Sequence, residues 1–180
     1  MPRRLVAPTL KIIIPATPDG LHPSVIPAIL RQDHIAQVWP MLGTESYFEL
    51  VAVFWAACQD FAIVEHDMEL AHDELDAFER CPELWCAHSY EVFSGDLATA
   101  YGGPFGLGCV RFRAELLDKH PDAVMVAGEM NIHPVHPQRS YAVMDSTLTQ
   151  VLRSRGEVPH QHFPNVRHHH AYMRENTLYG

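Results

Sequence analysis

Apolar positions in this chain fall into short unbroken runs separated by polar junctions, and only some of them carry a helical period. Leu10-Lys-Ile-Ile-Ile14 is a β-branched run stopped by Pro15, which predicts a buried strand and then a loop through Gly20. Phe61 to Val64 is a second such run and leads straight into Glu65-His66-Asp67, while Leu84 to Ala87 reads as a further strand. Ser24 to Leu30 fits a short helix, Ile35 to Leu42 fits neither period, and Glu45 to Cys58 is apolar nearly all round, the pattern of a buried helix. His72 to Arg80 is helical, with Leu75 and Phe78 apolar and Pro82 closing it. A glycine-rich loop, Tyr101 to Gly108, precedes a predicted helix from Arg111 to Lys119 that sets Phe112, Leu116 and Leu117 on one face. Asn131 to Arg139, rich in proline and histidine, predicts a loop. Asp145 to Arg155 is the clearest helix, with Leu148, Val151 and Leu152 at i, i+3 and i+4 and Gly156 at its C′ position.

Strands alternating with helices predict a single α/β domain over 1–180 with a mostly parallel central sheet flanked by helices. Ligands of such sheets bind beyond the carboxyl ends of the strands. Pro15 to Gly20 and Glu65 to Asp67 are then expected at one edge, with Ile12 to Ile14 and Ala62 to Val64 as neighbouring interior strands.

Composition narrows the function classes. The 180 residues hold 13 Lys and Arg against 22 Asp and Glu, a net charge of −9 that offers no basic field for nucleic acid or anionic lipid. An acidic chain fits a divalent cation, or an anionic substrate held through one. The four cysteines, Cys58, Cys81, Cys86 and Cys109, form no Cys-x-x-Cys pair, which excludes a zinc ribbon or redox motif and reads as buried thiols in a reducing compartment. The basic start, Met1 to Pro8, lacks the apolar stretch and cleavage site of a secretory signal, and no run reaches the ~20 residues of a membrane span. A soluble cytoplasmic protein with no membrane partner is expected.

Chemistry gathers at two places. Glu65-His66-Asp67 ends a buried strand with two carboxylates spaced i, i+2 beside an imidazole, a donor set suited to a hard divalent cation. The chain also has 13 histidines, seven of them between His133 and His170. Segment 158–170 carries His160-x-His162 and His168-His169-His170. These are metal-ligand candidates without the His-Glu-x-x-His of a zinc hydrolase. Its apolar Phe163 and Val166 and its prolines predict that it packs on the domain. In an extended segment His168 and His170 share the inward parity of Val166, and His169 faces away. Asp145 stands where an N-cap stands, and a catalytic carboxylate would look the same. Glycines 102, 103, 106 and 108 spell no dinucleotide fingerprint, but they let backbone approach a ligand closely. No serine has a Gly-x-Ser-x-Gly setting.

Taken in order, these segments resemble a compact GT-A-type nucleotide-sugar glycosyltransferase, of the small bacterial and phage kind. The matching pieces are Ile12-Ile-Ile-Pro-Ala-Thr17, Phe61-Ala-Ile-Val-Glu-His-Asp67, Gly103-Pro-Phe-Gly-Leu-Gly-Cys-Val-Arg-Phe112, Met144-Asp145 and Val166-Arg-His-His-His170. The chain departs from the family in having Glu65 in place of the first aspartate and Met144 where relatives often have glutamate. The resemblance implies a GT-A/Rossmann-like fold and donor binding by Pro15, Ala16, Thr17, Glu65, His66 and Asp67. It further implies an acceptor-side loop at Gly106, Leu107 and Gly108, and Mn²⁺ or Mg²⁺ held by Asp67 with His168 or His170. Asp145 would be the general base of an inverting transfer to a hydroxyl. The acceptor (modified DNA, a protein or a glycan) and the oligomeric state are specified by no motif. The rival readings are a metal-dependent hydrolase or nucleotidyltransferase, and a metal-stabilised binding protein without catalysis. Against a nucleotidyltransferase, the loop Ala16 to Gly20 carries no Lys or Arg.

Overall fold

The computed structural model describes residues 10–17, 20–31, 34–43, 45–70, 73–94, 97–101, 106–130 and 141–169. Strand β1 (Lys11–Ala16) buries Ile12, Ile13 and Ile14 completely, so the sheet must be covered on both faces. Helix α1 (Val25–Arg31) leads to β2 (Ile35–Pro40), which lies parallel to β1, so the segment of ambiguous period is a strand, and most of its residues are not buried. Helix α2 (Ser46–Ala56) delivers β3 (Phe61–Val64) parallel to the other side of β1, with Ile12 opposite Ala62 and Ile13 opposite Ile63. This is the expected pair of interior strands, and it leaves Thr17 and Glu65 beyond the same edge.

The next elements are β4 (Met68–Glu69), α3 (Glu74–Arg80), β5 (Trp85–Ser94), β6 (Leu97–Tyr101) and β7 (Cys109–Phe112). They are followed by α4 (Ala114–Lys119), α5 (Ala123–Met130), α6 (Tyr141–Ser154) and β8 (His160–His169). The sheet order is β2-β1-β3-β7-β5-β8-β4, with β6 also paired to β5. Because β8 occupies one edge of β5 from Cys86 to Phe93, β7 and β6 must share the other.

The expectation of a mostly parallel, GT-A/Rossmann-like sheet is wrong. The sheet is mixed and curled, and four of its seven ladders (β3–β7, β4–β8, β5–β6 and β5–β7) are antiparallel. The reversal comes from β7, which enters between β3 and β5 after a long excursion and runs against both. Its direction puts Cys109 opposite Val64, so the glycine turn that precedes β7 arrives at the carboxyl end of β3. Two reversals across β7 leave β5, and with it the parallel β8, pointing the same way as β1 and β3. With β2, which is parallel to β1, five strands therefore still direct their carboxyl ends the same way.

Side chains alternate across the sheet. Phe61, Ile63, Trp85 and Phe112 face a core made with α2, α5 and α6, while Ala62, Val64 and Cys86 face a second core under α1 and α3. Two helix boundaries also move. Arg111 and Phe112 belong to β7, and the helix after them begins at Ala114. Helix α6 begins at Tyr141, so Asp145 lies inside it and is not its N-cap. The expected loop at 131–139 lies outside the described residues.

Candidate metal centre

Glu65 continues the β3–β7 ladder by one hydrogen bond, its N–H donating to Gly108 O at 2.8 Å, and the chain then turns, with Met68 N donating to Glu65 O at 3.2 Å. The turn is closed from the other side by β8. Met68 registers with His168, and His169 N donates to Asp67 O at 3.0 Å. Those backbone bonds place His168 Nε2 3.0 Å from Asp67 Oδ2 and 3.7 Å from Glu65 Oε2. Within the trio, one donor atom from each residue lies within 4.8 Å of the others.

Asp67 is 1% exposed and His168 6%. Burial pushes the Asp67 carboxyl up, but the His168 hydrogen bond and the charges of His168 and His66 outweigh it and hold the group below the usual carboxylate range. Burial likewise pulls His168 down, and the Asp67 bond with the Asp67 and Glu65 charges lifts it above the ordinary imidazole value. Each shift favours the charged form of its group in the absence of a cation. Asp67 Oδ1 is buried without a hydrogen-bond partner, a lone pair left unused.

The glycine turn is fitted to this site. A Cβ on Gly108 would collide with Met68 Cε at 2.5 Å and stand 3.0 Å from Glu65 Oε2, and one on Gly106 would collide with the Tyr90 hydroxyl. Leu107 between them is buried in the core under α2, so it holds the turn in place and does not face a ligand. Tyr90 packs edge-on to His168, ring centroids 5.3 Å apart. Of the donor-loop candidates, Pro15 and Ala16 are residues of β1, registered with Trp39 and Pro40. Only Thr17 lies past the strand, and its Oγ1 is 3.3 Å from His66 Nε2. His66 therefore ties the first strand end to the acidic turn. Its backbone carbonyl also accepts from His22 N at 2.6 Å.

The tail is the sixth strand along the sheet order, not a segment laid over the site. His169 turns away from Asp67 to bond Glu69 Oε2 at 2.7 Å and stacks on His22 at 4.4 Å. His170 lies outside the described residues, as do glycines 102 and 103. Asp145, on α6, is pushed up to about 6 by burial, against the pull of the hydrogen bond it accepts from Ser146 N. Burial raises the phenols of Tyr47 and Tyr90, and the charges of Glu65 and Asp145 raise both further. Both carboxylates are therefore within electrostatic reach of the same two rings. Tyr47, Tyr90 and His22 were not legible as site residues, because nothing adjacent in sequence marks them.

Neither a family model nor a curated protein matches the chain. Among solved structures it is similar to "Crystal Structure of A197 from STIV", at 11% identity and a TM-score of 0.45, covering 77% of this chain and 78% of that one. No helix of the described residues is long and apolar enough to cross a membrane.

Proposed function

We propose that the protein is a divalent-metal-dependent glycosyltransferase that moves a sugar from a nucleotide-diphosphate donor to a hydroxyl acceptor. The observation that carries this reading is the trio Glu65, Asp67 and His168 at the shared strand edge, with a second, proton-hungry carboxylate, Asp145, in electrostatic reach of the same phenols. Adjacent ligands of an octahedral ion at roughly 2.1 Å stand about 3.0 Å apart. His168 Nε2 and Asp67 Oδ2 already have that spacing, and Glu65 Oε2 is 3.7 Å away. Two carboxylates and one imidazole suit Mn²⁺ or Mg²⁺ and leave coordination positions for diphosphate oxygens.

The bound cation would supply charge neutralisation for the departing diphosphate. The chain's own groups do the rest. Asp67 and Glu65 provide carboxylate oxygens and His168 its Nε2 lone pair, after giving up the proton that now bridges to Asp67. The Gly106–Gly108 turn keeps side-chain bulk away from Tyr90 and Glu65. Asp145 takes the acceptor hydroxyl's proton as oxygen bonds to the anomeric carbon and the bond to the diphosphate oxygen breaks. Its raised proton affinity makes it a better base than an ordinary carboxylate. Direct displacement of this kind inverts the anomeric centre.

A thermal-shift panel of nucleotide sugars with and without Mn²⁺ tests the reading, since a donor that binds the native state stabilises it by mass action. A midpoint rise that needs both Mn²⁺ and a nucleotide diphosphate, and that disappears in Asp67→Asn, is the expected result. No stabilisation by any donor would overturn it, and donor cleavage to water with no transfer to any acceptor would favour the hydrolase.

A further inference from the structure

A second set of donors lies at the other end of the β5–β8 ladder. His162 registers with His88 near the start of β5, and His168 with Val92 near its end. Beside His162 are Cys86, on β5, and Cys81, the residue that closes α3. The two sulfurs and an imidazole nitrogen of His162 all lie within 4.8 Å of one another. Neither cysteine is in a disulfide, and both are buried, Cys86 completely. His162 Nε2 is buried with no hydrogen-bond partner. Phe78 closes over the group, 5.8 Å edge-on to the His162 ring.

Arg111 supplies an independent reason to expect negative charge here. It is 1% exposed, registers with Cys86 across the β7 ladder and has no carboxylate partner among the described residues. Its guanidinium donates to the backbone carbonyls of Glu83 at 2.7 Å, Cys81 at 3.0 Å and Leu84 at 3.5 Å, and its Nε is unpartnered. Burial pushes the Cys86 thiol up to about 12, and the Arg111 charge and hydrogen bond pull against that rise. A buried cation with no carboxylate beside it is costly, and an adjacent thiolate would offset it.

We infer that Cys81, Cys86 and His162 form a soft-metal site, separate from the Glu65–Asp67–His168 centre, that takes one thiolate-seeking d¹⁰ cation, Cu⁺ or Zn²⁺. Two thiolates and an imidazole match the ligand preference of these ions and not that of Mg²⁺ or Mn²⁺. Donors around one such ion at about 2.3 Å for sulfur and 2.0–2.1 Å for nitrogen stand roughly 3.6–3.8 Å apart. Closure by about 1 Å, within the reach of Cys and His rotamers, therefore completes the set. The charge count separates the two ions. Cu⁺ with two thiolates carries −1 and is balanced by Arg111, whereas Zn²⁺ with the same donors is neutral and needs a fourth ligand, for which His160 and His88 stand at ring-centroid distances of 4.8 and 5.2 Å from His162. The bound ion would join the end of α3 to β5 and β8, and so clip β8 in the register that sets His168 beside Asp67.

The test is native mass spectrometry and thiolate-to-metal ultraviolet absorption of the reduced full-length protein, titrated without oxygen with Cu⁺ or Zn²⁺ against a competing chelator. One equivalent should bind to the wild type and equally to Asp67→Asn, which disables the other centre. Affinity should fall at least tenfold in Cys81→Ser and in His162→Gln. The less buried Cys81 and the isosteric Gln keep the test open should Cys86→Ser not fold. Tighter retention of Cu⁺ than of Zn²⁺ identifies the ion that Arg111 favours, and the reverse order identifies a four-coordinate zinc site. Uptake unchanged in both variants, uptake lost in Asp67→Asn, no bound ion, or a Cys81–Cys86 disulfide formed in place of metal binding would each overturn the inference.

Discussion

Asp145 gives up its proton at a cost that can be measured. Its carboxyl is moved from 3.8 to about 6, chiefly because burial penalises the anion. At ~1.36 kcal/mol per tenfold change in proton affinity, that displacement is worth at most about 3 kcal/mol. The sign follows from proton counts. Between about pH 4 and pH 6 the native state keeps a proton that the unfolded chain has lost, so stability falls as pH rises through this window and levels off above it. Asp145→Asn removes the titration. It retains an amide oxygen to accept from Ser146 N, which donates to Asp145 Oδ1 at 2.6 Å in the wild type. The variant should therefore be more stable than the wild type at pH 7.5, by up to about 3 kcal/mol, and nearly equal to it at pH 4. With a urea m-value of ~1–3 kcal/mol/M, the gain at pH 7.5 is a midpoint shift of up to roughly 1–3 M. Parallel urea titrations at the two pH values measure it, and other titrating groups cancel in the difference. An equal gain at both pH values, or a loss at pH 7.5, would refute the burial argument. A gain in stability together with lost transfer and intact donor binding is the trade expected of a catalytic base.

Asp67→Asn should weaken Mn²⁺ binding at least tenfold, by removing a carboxylate ligand, with isothermal titration as the measure. Mn²⁺ affinity of the wild type should rise by up to about tenfold per pH unit below the elevated His168 value and flatten above it, because the ligand is the neutral imidazole. Calorimetry in buffers of different ionisation enthalpy should detect the released proton. Gly106→Ala sets a methyl group on the Tyr90 hydroxyl and should cost about 1–3 kcal/mol of stability in a denaturant titration. Leu148→Ala, in the core between α6 and the sheet, should cost about 2–5 kcal/mol by the same assay and leave Mn²⁺ affinity unchanged.

Local pattern carried much of the fold's interior. The apolar runs of β1 and β3 were legible because strands covered on both faces need continuous apolar residues, and the junction Glu65–Asp67 stood out against them. The inward turn of His168, set against the outward turn of His169, followed from strand parity with Val166, a rule that operates over two residues. Long-range pairing was not legible in the same way. Nothing near Cys109 states that β7 will insert between β3 and β5 and reverse the sheet, since strand order depends on contacts between residues far apart in the chain. The histidines and Pro164 of β8 disguised a central strand as a tail. The helix signal in the sequence begins at Asp145, where a cap and a catalytic carboxylate look alike, whereas α6 begins four residues earlier at Tyr141. The Cys81–Cys86–His162 group lay beyond motif reading altogether, because His162 reaches the cysteines only once β8 has docked on β5. Residue type and short-range period state which side chains a chain can bury and which carry chemistry. Which of them meet depends on ladders closed across long loops, and those are specified by the whole sheet at once.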